Sequence, residues 1–204
     1  MISILSYGCG NISSIANMLR ALGVDTQIVE TPSQVLQADK LILPGVGAFD
    51  YGMSQLNKTG LYDALSEVAL QKQIPILGIC LGMQLMCLTS EEGERCGLGW
   101  IDAKVSRFLI PPEERQLKVP HMGWNTLKIA RENPVVVQED ERQRYYFVHS
   151  YYVSCKERSD VIATSHHGHE FVAAFNRNNL YGVQFHPEKS HRYGLSLMKR
   201  FADL

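Results

Sequence analysis

Residues 78–82 read Gly-Ile-Cys-Leu-Gly, and no other stretch restricts the fold of this chain so strongly. Ile74, Ile76, Leu77 and Ile79, around Pro75, form the short apolar run expected of a strand buried on both faces of a parallel sheet. After the cysteine, Leu81, Met83, Leu85, Met86 and Leu88 suit a helix packed against such a sheet. Cys80 therefore falls where a buried strand turns abruptly into a helix. Gly78 and Gly82 remove the Cβ atoms that this turn would crush. The pattern is the cysteine counterpart of the G-x-S-x-G nucleophile elbow, which holds a reactive side chain up at the end of a strand. A helix N-terminus beneath the sulfur favours thiolate over thiol.

The segments around the elbow alternate between strand and helix. Ile2, Ile4 and Leu5 read as a strand, and Tyr7 to Asn11 as a loop. A helix with Ile12, Ile15, Ala16, Leu19 and Leu22 on one face follows, capped by Asn11 or Ser13 and stopped at Gly23. Strands ending at Val29 and covering residues 40–43 come next, then a Pro44-Gly45-Val46-Gly47 loop and a helix over 61–71. Such alternation predicts βαβ units, a parallel sheet and helices on both faces. The second half reads as short strands over 105–109, 145–148, 151–154, 161–164, 171–175 and 180–185, expected as antiparallel additions to the same sheet, and a closing helix over 190–201. Residues 111–115 read as an exposed loop. The expected architecture is a single domain, residues 1–204: an α/β, three-layer αβα sandwich with an open, mostly parallel central sheet carrying antiparallel additions.

A formal net charge of −1 provides no basic field for a nucleic acid or an anionic membrane. Five cysteines without pairable spacing point to a reducing, cytoplasmic setting. No apolar run has the length of a membrane span.

A thiol nucleophile needs a base, and the base needs a group that fixes its tautomer. Of the seven histidines, His186 has the best context: the apolar strand 181–185 delivers it to a stop at Pro187, with Glu188 two residues on. Cys80, His186 and Glu188 thus compose a candidate triad. His166, His167 and His169 could suggest a metal, but adjacent strand histidines point to opposite faces and no nearby carboxylate or cysteine completes a cage, so neither metal nor cofactor is expected. Cys9, Cys87, Cys96 and Cys155 lack activating neighbours and read as structural.

GICLGMQ at Cys80, PGVG at 44–47, FVHSY at 147–151 and GVQFHPEKS at 182–190 resemble the class I (triad) glutamine amidotransferases. PHMGWN at 120–125 narrows the resemblance to the glutaminase subunits of imidazole glycerol phosphate synthases, in histidine biosynthesis. The resemblance spans essentially the whole chain. It implies hydrolysis of glutamine to glutamate and ammonia, and a heterodimer with a (β/α)8-barrel synthase that receives the ammonia. It also implies an oxyanion hole from the N–H of Leu81 and that of Val46 or Gly47, and glutamine-binding roles for Gly45, Gln84, Ser150 and Tyr151. Trp124 and Lys189 are implied at the partner interface, with Asn11 and Asn17 beside them. Three other readings are weighed: a paralogous subunit feeding sugar amidation in surface-polysaccharide synthesis, a free-standing γ-glutamyl cysteine hydrolase, and a non-catalytic binding module, against which the intact triad residues argue.

Overall fold

The computed structural model describes residues 1–204. In the first half, β1 (Ile2–Leu5), α1 (Ile12–Ala21), β2 (Thr26–Val29), α2 (Pro32–Leu36), β3 (Leu41–Gly45) and α3 (Phe49–Lys58) precede α4 (Leu61–Ser66), which continues through a wider helical turn to Gln71. Then come β4 (Ile76–Cys80) and α5 (Leu81–Leu85), the expected elbow. The second half contains β5 (Thr89–Ser90), β6 (Ala103–Arg107), β7 (His121–Asn125), β8 (Lys128–Ile129), β9 (Tyr145–His149), β10 (Tyr151–Cys155), β11 (Val161–His166), β12 (Glu170–Arg177) and β13 (Leu180–Val183). Helix α6 (His191–Asp203) closes the chain.

The main sheet runs β2-β1-β3-β4-β13-β12-β10-β6-β5, with β11 and β8 branching from β12. From β2 to β13 every neighbour is parallel; from β13 through β12 and β10 to β6 the pairing is antiparallel. Alternate residues of the parallel strands enter two apolar clusters. Leu5, Leu41 and Leu43 join Phe49, Met53, Leu56 and Leu65 of α3 and α4. Ile4 and Ile42 join Ile15 and Leu19 of α1 and Leu197 and Phe201 of α6. Strands apolar on both faces demand helices on both, which gives the three layers.

Two expectations about the sheet need correction. The strand at 180–183 is not an antiparallel addition: β13 lies parallel to β4, with Gly182 opposite Gly78 and Val183 opposite Ile79. Strand β9 is not in the main sheet at all; it pairs with β7 in a separate two-stranded sheet. Asn11 occupies the position before α1 but caps nothing. Its side-chain oxygen accepts from the Ser14 hydroxyl, which leaves the first-turn N–H groups without a side-chain cap. Helices α2 and α3 were not anticipated.

Candidate active site

The site forms at the carboxyl ends of β3, β4 and β13, where open parallel sheets place their clefts. Cys80 ends β4 with φ 53° and ψ −110°, a strained backbone for a residue with a Cβ. The turn is possible because α5 presses against β3: a Cβ on Gly82 would collide with the Leu43 carbonyl oxygen. Gly45 sits opposite Cys80 in the ladder, and a Cβ there would lie 2.7 Å from the Gly82 nitrogen. The strand-to-helix turn and its neighbour are therefore welded by backbone contact.

His186 lies three residues past the end of β13, beside the elbow. Its N–H donates to the Tyr146 carbonyl at 2.9 Å, which anchors it across β9. Its Nδ1 lies 2.8 Å from Glu188 Oε1, and the side chains of both residues are about 1–2 % exposed. The turn carrying them is pinned by Ser190, whose hydroxyl donates to the His186 carbonyl at 2.6 Å and accepts the Tyr146 N–H at 3.0 Å. With Nδ1 held by the carboxylate, Nε2 is buried and free of any hydrogen bond, the condition of a base waiting for a proton. Burial works against a charged His186, but the neighbouring Cys80 sulfur and the Glu188 carboxylate outweigh it and raise its pKa. The Cys80 sulfur accepts from Gln184 Nε2 at 3.6 Å and lies 3.9 Å from the Val148 carbonyl oxygen.

In front of the sulfur lies a cavity of about 320 Å³ lined by Val46, Gly47, Cys80, Leu81, Gln84, Glu92, Pro120, Val148, His149, Ser150, Tyr151 and His186. Of the expected oxyanion and glutamine-binding residues, all but Gly45 line it, and Gly45 is in register with the nucleophile. Gly47 has φ +105° and open space around its missing Cβ, so the 46–47 peptide sits in a loop that packing does not lock. Gln84 is held in place: its amide donates to the Tyr151 carbonyl at 3.1 Å and to Gln184 Oε1 at 2.9 Å. Three polar side chains that line or adjoin it were not assigned from sequence. Gln184 touches the sulfur, and His149 lies within the quoted FVHSY motif. Glu92 brings a carboxylate to the cavity, with Oε2 accepting the Phe49 N–H at 2.9 Å.

Of the expected interface residues, Trp124 and Lys189 both meet Tyr146. Trp124 on β7 is 44 % exposed and stacks on His191 with ring centroids 5.2 Å apart. Lys189 places Nζ 5.7 Å from the centre of the Tyr146 ring. Helix α1, which follows Asn11 and carries Asn17, lies against the 187–189 turn. Of the other cysteines, Cys9 and Cys87 are buried, Cys155 is half-buried and Cys96 is exposed; none forms a disulfide. Burial pushes the Cys9 and Cys87 thiols up and Cys155 to about 12. His166 is exposed while His167 is buried, and no group of three metal-ligating side chains converges. No helix is long and apolar enough to cross a membrane.

The family model described as "Glutamine amidotransferase class-I" matches residues 4–203. A protein of Leptospira borgpetersenii named "Imidazole glycerol phosphate synthase subunit HisH" is 45% identical over 204 residues, covering 100% of each chain. One of Pseudomonas aeruginosa named "Imidazole glycerol phosphate synthase subunit HisH 2" is 47% identical over 205 residues, again covering 100% of both. Among solved structures, PurLQS from Thermotoga maritima superposes with a TM-score of 0.71 at 16% identity, covering 99% of this chain and 97% of that one, a likeness of fold.

Proposed function

From the premise that this chain belongs to the class I glutamine amidotransferase family, we propose that it is the glutaminase subunit of an imidazole glycerol phosphate synthase, serving histidine biosynthesis in the cytoplasm. The observation that carries the reading is end-to-end similarity, 45–47% over the full length, to subunits of that name.

The geometry supplies a mechanism. Glutamine enters the cavity with its side-chain amide carbon facing the Cys80 sulfur. His186 Nε2 takes the thiol proton, and the sulfur attacks the carbon. Negative charge collects on the amide oxygen, where the Leu81 N–H and the N–H of Val46 or Gly47 receive it. The C–N bond breaks as His186 returns the proton to nitrogen, and ammonia departs. Water, deprotonated by the same imidazole, then cleaves the thioester to glutamate. Glu188 holds the ring throughout in the tautomer with Nδ1–H, which keeps Nε2 available. Glu92 brings negative charge for the substrate ammonium, while Gly45, Gln84, Ser150 and Tyr151 contribute to its amino-acid end. Ammonia passes to a (β/α)8-barrel partner docked over Trp124, Lys189, Asn11 and Asn17.

A second reading keeps the same chemistry and changes the partner; the Pseudomonas relative's name carries the numeral 2. In that reading the same glutaminase feeds a different barrel, one that aminates a sugar-derived acceptor. Complementation decides between them. A bacterium lacking its own glutaminase subunit receives this gene with a cognate barrel gene and is grown without histidine at low ammonium. Growth supports the histidine pathway. An active complex with a neighbouring barrel that never restores growth or makes imidazole glycerol phosphate hands the assignment to the sugar-amidating reading.

A further inference from the structure

Behind the glutamine cavity, four polar groups form a line whose proton positions are fixed from both ends. At one end, Asn125 Oδ1 accepts the Thr126 N–H at 2.8 Å, and Nδ2 donates to the His166 carbonyl at 2.8 Å. A carbonyl can only accept, so the amide cannot be turned over. The second Nδ2 proton faces His121 Nε2 at 3.2 Å, which must therefore carry a lone pair. His121 then holds its proton on Nδ1, 3.0 Å from His149 Nε2, which must also carry a lone pair. His149 in turn holds its proton on Nδ1 and donates to the Tyr151 carbonyl at 2.7 Å. That last partner is again an obligate acceptor, so reading the line backwards gives the same tautomers.

A second proton on either ring would set two donors against each other, at Asn125 or between the histidines. The surroundings agree. Burial, followed by His167, lowers His121 to about 4; burial, with His121, His167 and His186, lowers His149 to about 3 against the pull of the Tyr151 carbonyl. His167 stacks on His121 at 4.3 Å, Phe108 packs edge-on to His149 at 5.2 Å, and Phe147 stacks on His121 at 4.8 Å. His169 lies beyond, against Phe108 and Tyr152. Glu114 pairs with His166 at 3.8 Å.

The line continues into the site. The Tyr151 carbonyl also accepts from Gln84, Gln84 donates to Gln184, and Gln184 donates to the Cys80 sulfur. We propose that His121 and His149 are positioning residues for the glutamine pocket: a neutral pair that fixes the Tyr151 carbonyl and, through Gln84 and Gln184, the amide beside the nucleophile. The proposal rests on the glutaminase reading of this cavity. Without the His149 donor the Tyr151 peptide and the Gln84 amide lose their common anchor, while His186 and Glu188 keep theirs. Substrate binding suffers before chemistry does.

The first test needs no activity. Ring-nitrogen NMR of the intact chain at pH 7.5 should find both His121 and His149 neutral with the proton on Nδ1. An Nε2–H tautomer or an imidazolium at either ring overturns the pairing. The second test is a KM-against-kcat split for glutamine in the complex with the barrel partner. His149→Phe fills the same apolar space without the donor and should raise KM about tenfold, the worth of one buried hydrogen bond, with kcat within about threefold. His149→Asn places an amide nitrogen near the lost Nδ1 and should return KM to within about threefold of wild type. An unchanged KM in His149→Phe, or an Asn variant no better than Phe, overturns the positioning role. A wild-type chain that never turns over glutamine with any partner sinks the functional reading instead, and the tautomers still decide the pairing.

Discussion

The back wall and the front rim of the cavity are built in opposite ways. At the back, His186 and the Glu188 side chain are about 1 % exposed, fastened by Ser190 and the Tyr146 carbonyl, and Cys80 is welded into a ladder of parallel strands. At the front, Val46 is 45 % exposed, Gly47 faces open space at φ +105°, and Trp124 and Met122 stand 44 % and 63 % exposed on β7. The groups proposed to make and break bonds are held by contacts within this chain and need no partner to assemble. The groups that would receive the oxyanion, and those that would meet a second protein, sit where another chain can reach them. Chemistry is preorganised and its control is left at the surface.

Substitutions can break this contrast from either side. The largest effect belongs to the back wall. Cys80→Ala should lower glutamine-dependent product formation roughly ten-thousandfold or more, while synthesis from added ammonium salts in the partner persists. Glutamine hydrolysis at the wild-type rate would remove Cys80 from the mechanism.

The same chemical change at two glycines should then give two different results. In Gly82→Ala the new methyl meets the Leu43 carbonyl in a rigid ladder, and urea unfolding should show a loss of about 3 kcal/mol or more. Gly47→Ala has room, so only the positive φ counts, and the loss should be about 1 kcal/mol. Its glutaminase rate with partner bound should nevertheless fall about tenfold or more, because the loop can no longer turn a donor toward the oxyanion. Equal melting losses at the two sites would dissolve the distinction between wall and rim.

Glu188→Gln sharpens the comparison within the wall. Glu188 helps hold His186 above its ordinary pKa, so removing its charge lets the imidazolium lose its proton at lower pH. The acid limb of the glutaminase pH profile, where His186 must lose its proton before it can act as a base, should move acidward by about one unit, with a smaller fall in rate than for Cys80→Ala. A shift toward higher pH contradicts the role given to the carboxylate. The smallest change in fold stability is expected for Trp124→Ala, within about 0.5 kcal/mol, because the ring is half out in solvent. Titration with the barrel partner should still show binding weakened about tenfold, and undiminished affinity would move the interface elsewhere.

How much of this was legible depends on how local each signal is. The elbow, His186 and Glu188 lie in contiguous motifs, and the first parallel strands carry apolar runs that can be read without neighbours. Helix α3 was hidden by Gly52, which reads as a break. Its Cβ would in fact lie 3.2 Å from Leu85, so the glycine is there to let α3 approach α5, and Phe49, Met53 and Leu56 hold the helical spacing around it. Helix α2 is only five residues long, yet Thr31, Pro32 and Gln34 form a capping box that could have revealed it. The orientation of β13 was misread because short, evenly spaced strands look like an antiparallel run, whereas its partner β4 lies far back in the chain. Glu92 sits in a turn with no periodicity, and the roles of Gln184 and His149 depend on contacts across strands.

That distant partnership has a consequence for the making of the protein. While the chain is being synthesised, the thiol of Cys80 leaves the ribosome roughly a hundred residues before its base, an interval of about 5–20 s at ordinary elongation rates. Until residues 180–183 arrive, β4 has β3 on one side and nothing on the other, an open apolar edge of Ile76, Leu77 and Ile79. Insertion of β13 closes that edge and delivers His186 in the same movement. A nascent chain is thus an aggregation hazard before it is an enzyme, and a truncation ahead of Leu180 should leave a sticky sheet with an unpartnered thiol rather than a weak glutaminase.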